Sequence, residues 1–218
     1  MARVKDPVET RERLLRAAVD LYSAKGFAGA SVQDVVNRAG VTKGAFYHHF
    51  ESKAHLIKAI NESFICLQID AINAIIAMGL APAETLAEAI IVIFKNMINH
   101  KASVSLFIRE YPPMPKDVDR ALRARRLEYE QLLVGVIDRG RAMGVFHTEL
   151  STNIVLYGIL GMCTWATQWY DRKRYPAPEV IGRQYARMVI IGLTASHDSL
   201  TPADLRGAQP AYMPFDHS

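Results

Sequence analysis

The chain has 218 residues, half of them apolar, 22% charged and 9% aromatic, with a net charge of +4 and two cysteines. That composition holds one or two domains with a sizeable core, and it excludes disordered, collagen-like and disulfide-built chains. The balance is mildly basic, which permits an anionic partner without demanding one.

The N-terminal "MARVKDPVETRER" is charged and has no apolar segment, so no secretory signal is expected. From Val8 to Lys25, Leu14, Leu15, Ala18, Leu21 and Tyr22 recur at helical spacing, and Gly26 is placed to stop that helix. Ser31 and Asp34 have the spacing of a capping box before "VVNRA", and Gly40 ends that short helix. Thr42 caps a further short helix reaching His49 or Phe50. Ser52 caps a long one from Lys53 to about Met78, free of Gly and Pro, and Gly79 and Pro82 end it. Further helices are expected at about 83–100, 102–110, 117–142, 151–170 and 177–195, with breaks at "YPPMP", "GRAMGVF" and "YPAP". The tail after Ser196 is proline-rich and aperiodic, and disorder is expected beyond about 205. The fold class expected is therefore all-α.

Cys66 and Cys163 lie far apart and outside any CxxC or Cys/His cluster, so reduced thiols in a cytoplasmic protein are expected, with no metal and no disulfide. The densest apolar run, "EAIIVIFKNMI", is interrupted by Lys95 and is too short to span a bilayer, so no membrane association is expected. No nucleophile elbow, HExxH, P-loop or GxGxxG occurs, and His100, His147 and His197 are widely separated. An enzyme and a resident cofactor are therefore not expected.

Residues 1–55 carry nine Lys/Arg against six Asp/Glu and three histidines, so most of the net charge lies in the first quarter. Two short helices joined at Gly40 describe a helix-turn-helix over residues 31–50. Val32, Val35, Val36, Ala39 and Val41 form its apolar face, completed by Ala45, Phe46 and Phe50. Thr42, Lys43, Gly44, Tyr47 and His48 remain on the other face. In such a unit the second helix enters the DNA major groove. Lys43 suits a phosphate or a guanine edge. Gly44 and Ala45 let the backbone approach closely, and Tyr47 and His48 suit phosphate oxygens. Lys53, with the N-terminus of its helix, is a further phosphate candidate. Spacing alone leaves open an ordinary helical hairpin, or a basic module that binds protein and shows a flat salt response.

The stretch "RERLLRAAVDLYSAKGFAGASVQDVVNRAGVTKGAFYHHFESKAHLI" resembles the DNA-binding domain of the tetracycline-repressor (TetR) family, over roughly residues 9–60. The resemblance implies an all-helical fold with a helix-turn-helix domain at 8–68, a ligand-binding and dimerisation domain at 69–200, and a tail at 201–218. It implies a homodimer built on the last two long helices, a palindromic double-stranded DNA operator, and a small-molecule effector. The DNA-contact set is Ser31, Val32, Gln33, Thr42, Lys43, Gly44, Ala45, Tyr47, His48 and Lys53.

The segment "TWATQWYDRKRYPAPEVIGRQYARMVIIGL" is similar to the subgroup of that family regulating fatty-acid and steroid breakdown, several of whose members sense acyl-CoA thioesters. Trp165, Trp169 and Tyr170 match its aromatic spacing; the subgroup carries a basic residue just before the second Trp, where Gln168 stands here. The effector expected is a hydrophobic or acyl-CoA-type molecule of lipid or steroid breakdown. A non-CoA aromatic or drug-like ligand is the alternative, and an acyl-CoA-handling enzyme a distant one. Phe94, Met97, Phe107, Arg109, Tyr111 and Tyr129 are candidate pocket residues, with Arg123, Met162, Trp165, Gln168 and Trp169. The aromatic cluster fits a pocket wall or a dimer interface equally. The basic groups in "RALRARRLEYEQ" and "DRKR" fit either phosphate contacts or solvated helix faces.

Overall fold

Four side-chain caps and one left-handed glycine set the start of the chain. The computed structural model describes residues 6–109, 116–146 and 151–194, without the side chains of 106–109, 117 and 118. Asp6 caps α1 (Pro7–Gly29) by accepting from the Val8 amide. The expected stop at Gly26 is present as a break inside α1, where Gly26 takes φ 75° and the chain resumes one short turn to Gly29. Ser31 caps α2 (Val32–Ala39), and Ser31 and Asp34 complete the reciprocal box. The Ser31 side chain and backbone amide both donate to Asp34, and this holds its carboxyl below the ordinary value.

Gly40 ends α2 at φ 62°, where a side chain would be strained. The Arg13 guanidinium donates to the carbonyls of Ala39 and Gly40, so a cation satisfies the open end of α2. A Cβ on residue 40 would lie 2.8 Å from Arg13 Nη2. Thr42 caps α3 (Lys43–His49) through the Ala45 amide, and Ser52 caps α4 (Lys53–Ala77) through that of His55.

The remaining helices are α5 (Pro82–Asn99), α6 (Lys101–Arg109), α7 (Lys116–Ala142), α8 (Thr152–Trp169) and α9 (Pro178–Thr194). Their ends fall within a residue or two of the expected ones. All regular structure among the described residues is helical. The "YPPMP" break and the tail lie outside the described residues.

Two separate apolar cores form. The first gathers Leu14, Ala18 and Tyr22 of α1, Val35 and Val36 of α2, Phe46 and Phe50 around α3, and Leu56, Ile57 and Ile60 of α4. Phe46 is wholly buried, which stabilises this small core by roughly 1.5–3 kcal/mol. The second is centred on α5, whose Leu86, Ala89, Ile90, Ile93 and Phe94 are all fully buried. It is surrounded by α4, α7, α8 and α9. Gly182 of α9 permits the closest crossing, because its Cβ would lie 3.1 Å from the Ile91 Cα of α5. α4 contributes to both cores, with Leu56, Ile57 and Ile60 to the first and Ile69 and Ile72 to the second. Though long and apolar enough to cross a bilayer by composition, α4 spends those residues on the two cores and packs against α1, α5 and α7. α1 also packs against α6, a second contact between the two halves.

Candidate functional site

The short helix α3 divides its residues sharply. Phe46 faces inward and contacts Tyr47 edge-on at 5.2 Å and Phe50 at 5.8 Å. Tyr47 is 52% exposed, and Lys43, Gly44 and His48 are also exposed. His49 is half-buried against Phe50, and burial first, then His48 and Arg11, hold its imidazole below the usual value. Thr42, Gly44, Ala45 and His48 line an open cleft bounded on the other side by Pro7 and Thr10 of α1. Ser31 and Gln33 are exposed at the start of α2, where Gln33 donates to Asn37 at 2.9 Å. Val32 packs half-buried against the first core and presents little to a partner.

Lys53 departs from its expected role. Its ammonium lies 4.0 Å from the Phe27 ring centroid, reaches over Tyr22, and donates to the Phe27 carbonyl. The side chain is folded onto the kinked end of α1, where a cation gains from two ring faces. The outward feature left at this point is the Ser52-capped N-terminus of α4, in place of the Lys53 charge.

In the second half, five helices line a half-open pocket of about 190 Å³. α4 supplies Asn61, Phe64, Ile65 and Gln68, α5 Met97, and α6 Ser103 and Val104. α7 supplies Arg126, Tyr129 and Glu130, and α8 Leu160 and Thr164. The wall is mainly apolar with a few polar groups, the usual make-up of a small-molecule site. Gln68 is nearly inaccessible, and its Oε1 accepts from Asn96 Nδ2 at 2.7 Å. Its Nε2 and the Tyr129 hydroxyl are both sealed from solvent without a hydrogen bond of full geometry among the described residues, though the Gln68 amide lies close enough to the phenol to act on it, in the lowering direction. Burial, then the neighbouring charges, pushes the Tyr129 phenol far above its ordinary value.

α8 and α9 carry a different surface. Ile154, Tyr157, Gly158, Gly161 and Trp165 recur along one exposed face of α8, with Trp165 67% exposed. Val180, Met188 and Ile191 are exposed on α9. α8 and α9 both pack on α5, and exposed apolar faces of this kind mark interaction surfaces.

Comparison with known families decides what kind of protein carries these features. The profile of the bacterial regulatory proteins of the tetR family matches residues 14–60, and that of the tetracyclin repressor-like C-terminal domain matches residues 79–193. The chain belongs to the TetR family. It is therefore a DNA-binding transcriptional regulator, and the resemblance read over residues 9–60 holds. The HTH-type transcriptional repressor KstR2 of Mycolicibacterium smegmatis is 25% identical over 193 residues, spanning 87% of this chain and 93% of its own. The solved ketosteroid transcriptional regulator KstR2 of Mycobacterium tuberculosis shares the fold with a TM-score of 0.74 at 22% identity, covering 89% of this chain and 98% of its own. FadR of Bacillus subtilis, solved with stearoyl-CoA, shares the fold with a TM-score of 0.70 at 17% identity, covering 84% and 98%.

Within this TetR-family chain the pocket candidates separate. Met97 and Tyr129 line the cavity. Phe94 does not: it sits in the second core, edge-on to Tyr170 and Tyr185. Trp165 points outward on α8, and Arg123 is an exposed residue paired with Asp119 at 2.8 Å. Gln168 donates to Thr167, and Met162 is half-buried on α8 outside the cavity wall. Trp169 packs on Tyr175 at 5.0 Å, in an aromatic group closed by the Tyr170 hydroxyl donating to the Pro176 carbonyl. The Phe107 and Arg109 side chains and all of Tyr111 lie outside the described residues. Gln68, Asn61 and Asn96 were missed by sequence reasoning. Their signal was present: Asn61 and Gln68 interrupt the otherwise apolar face of α4 at i, i+7 spacing.

Proposed function

We propose that the protein is a homodimeric repressor, released from a palindromic operator when a hydrophobic or acyl-CoA-type molecule of lipid or steroid breakdown enters the α4–α8 cavity. The observation that carries this reading is α3, which keeps Lys43, Tyr47 and His48 outward while Phe46 and Phe50 fix it to its own core. KstR2 supports repression and a steroid-related ligand, and the FadR complex supports an acyl-CoA. The DNA contacts are assigned to Lys43, Gly44, Tyr47 and His48 of α3, with Thr42, Ser31 and Gln33 at the helix caps, and the ligand contacts to the cavity wall. The dimer is assigned to the exposed stripe of α8 and α9.

The boundary between the DNA-binding and ligand-binding halves falls inside α4. A cavity of about 190 Å³ admits an acyl chain or a small ring system, and the nucleotide of a CoA ester would remain outside it. Filling the cavity presses on α4 and α6, and both of these pack against α1 of the head. A shift of the heads alters their separation, which must match half-sites roughly 34–36 Å apart. The coupling required is about 1–3 kcal/mol between ligand and DNA. The test is a gel-shift titration with DNA from upstream of the protein's own gene, in low salt, with and without octanoyl-CoA and stearoyl-CoA. The expected result is a shifted band reversed by an acyl-CoA. No shift of such DNA at low salt would rule the regulator reading out at that site, and a shift insensitive to acyl-CoA would rule out the effector class.

A further inference from the structure

We propose that Phe64 is a movable partition that sets the length of chain the pocket accepts. A linear apolar chain of more than about eight carbons must turn the Phe64 ring out into the cleft between the two halves of the molecule. This deepens the effector reading above and rests on the pocket being the effector site. α4 passes from one core to the other near its middle. Leu56, Ile57 and Ile60 belong to the first core, and Ile69 and Ile72 to the second. Phe64 lies between these sets, half-buried at the margin of the second core. It lines the pocket on one side and a separate open cleft of about 420 Å³ on the other. Leu15 and Val19 of α1 and His100, just before α6, also line that cleft. Among the described residues Ser103 of α6 alone shares both walls with Phe64, and its side chain is small. The pocket and the cleft are therefore one side chain apart, and the Phe64 ring is most of what divides them.

The surroundings give the ring somewhere to go. It meets the ring of His100, an exposed residue, at 5.8 Å between centroids. A cavity of about 150 Å³ holds a benzene ring, so the cleft has room for the displaced phenyl group. By the same comparison the pocket, at about 190 Å³, takes roughly eight carbons. The wall also orients a ligand. Its charged side chains, Arg126 and Glu130, stand on α7, and Glu130 accepts from the exposed Tyr157 of α8 at 3.4 Å. The polar end of a ligand stays on that side, since an apolar wall would leave it unsatisfied, and the tail runs towards Phe64. A ring pushed into the cleft then presses on Leu15 and Val19, so the head responds to chains past the limit.

The test is calorimetric titration of the DNA-free protein with even-numbered acyl-CoAs from butanoyl to dodecanoyl, for the parent, Phe64→Ala and Phe64→Leu. In the parent, affinity should rise about fourfold per added methylene up to about eight carbons and then flatten or fall. In F64A it should keep rising to dodecanoyl-CoA, which should bind more than about tenfold tighter than in the parent. Butanoyl-CoA should bind both proteins alike. F64L should lie between them, and it carries the comparison if F64A fails to fold. Magnetic resonance of isotope-labelled imidazoles follows the ring itself. Dodecanoyl-CoA should move the His100 signal, assigned with His100→Gln, and butanoyl-CoA should leave it in place.

A parent affinity that rises unbroken to dodecanoyl-CoA, the same break in the Phe64 variants, a His100 signal indifferent to chain length, or no binding of any acyl-CoA would each overturn the proposal. Operator release is read separately. A break set by Phe64 without release leaves the partition standing and removes the pocket as the effector switch. Release by acyl-CoAs with no break keeps the effector reading and removes the partition.

Discussion

Gly40→Ala tests the link between the turn and the head that presents α3. Gly40 holds φ 62°, a region that costs a residue with a Cβ about 1–2 kcal/mol. The methyl would also lie 2.8 Å from Arg13 Nη2, so the guanidinium must withdraw from the Ala39 and Gly40 carbonyls. Hydrogen bonds to a charged group contribute about 1.5–3 kcal/mol, and the half-exposed setting here places the loss near the lower end. The sum for G40A is about 2–3 kcal/mol. Arg13→Met alone should cost about 1–2 kcal/mol, and Gly40→Ala in the R13M background only the backbone strain, about 1 kcal/mol. The coupling in the cycle is then about 1 kcal/mol. Urea unfolding followed by far-ultraviolet circular dichroism measures all four proteins. Trp165 and Trp169 both lie in α8, outside the first core, so their fluorescence reports the other half independently. An equal cost of G40A in both backgrounds would refute the displacement of Arg13. A cost of G40A below about 0.5 kcal/mol would refute the strained turn.

Lys43→Ala and Tyr47→Ala should weaken operator binding and leave thermal stability within about 0.5 kcal/mol of the parent, since both side chains are exposed. If each meets a phosphate, each should also reduce the slope of log affinity against log salt by about one; parent-like binding by both would remove them from the DNA face. Ile154→Glu with Trp165→Glu should convert a dimer to folded monomers in sedimentation analysis, because it places charge on the exposed stripe of α8; a dimer that persists would place the interface elsewhere. Burial pushes the Cys163 thiol up to about 12, so below that pH little of it is the reactive thiolate. An alkylating reagent at pH 8 should therefore modify Cys66 in the folded protein and Cys163 only after denaturation; early loss of Cys163 would contradict its packing.

What the sequence determined by itself was local and periodic. Ser31, Gly40, Thr42 and Ser52 set helix ends through bonds to residues three or four positions away, so the head was legible without any long-range contact. The same holds for the split of α3 into Phe46 and Phe50 inside and Tyr47 and His48 outside, a matter of 3.6-residue periodicity. Lys53 was not legible in this way. Its direction depends on Phe27 and Tyr22, brought near only when α1 kinks at Gly26 and packs beside α4.

The cavity was less legible still. Its wall draws on five helices, and the aromatic residues that stand out in sequence went elsewhere: Phe94 to the core, Trp165 to the outer face, and Trp169 to a cluster with Tyr170 and Tyr175. Two buried residues of its wall, Gln68 and Tyr129, look ordinary along the chain. They come together because α4, α5 and α7 meet around them, pairing one end of the Gln68 amide with Asn96 and sealing the other beside the Tyr129 hydroxyl in the pocket wall. Helix caps are decided within one turn of chain, whereas a buried polar cluster exists only where distant segments have excluded water together.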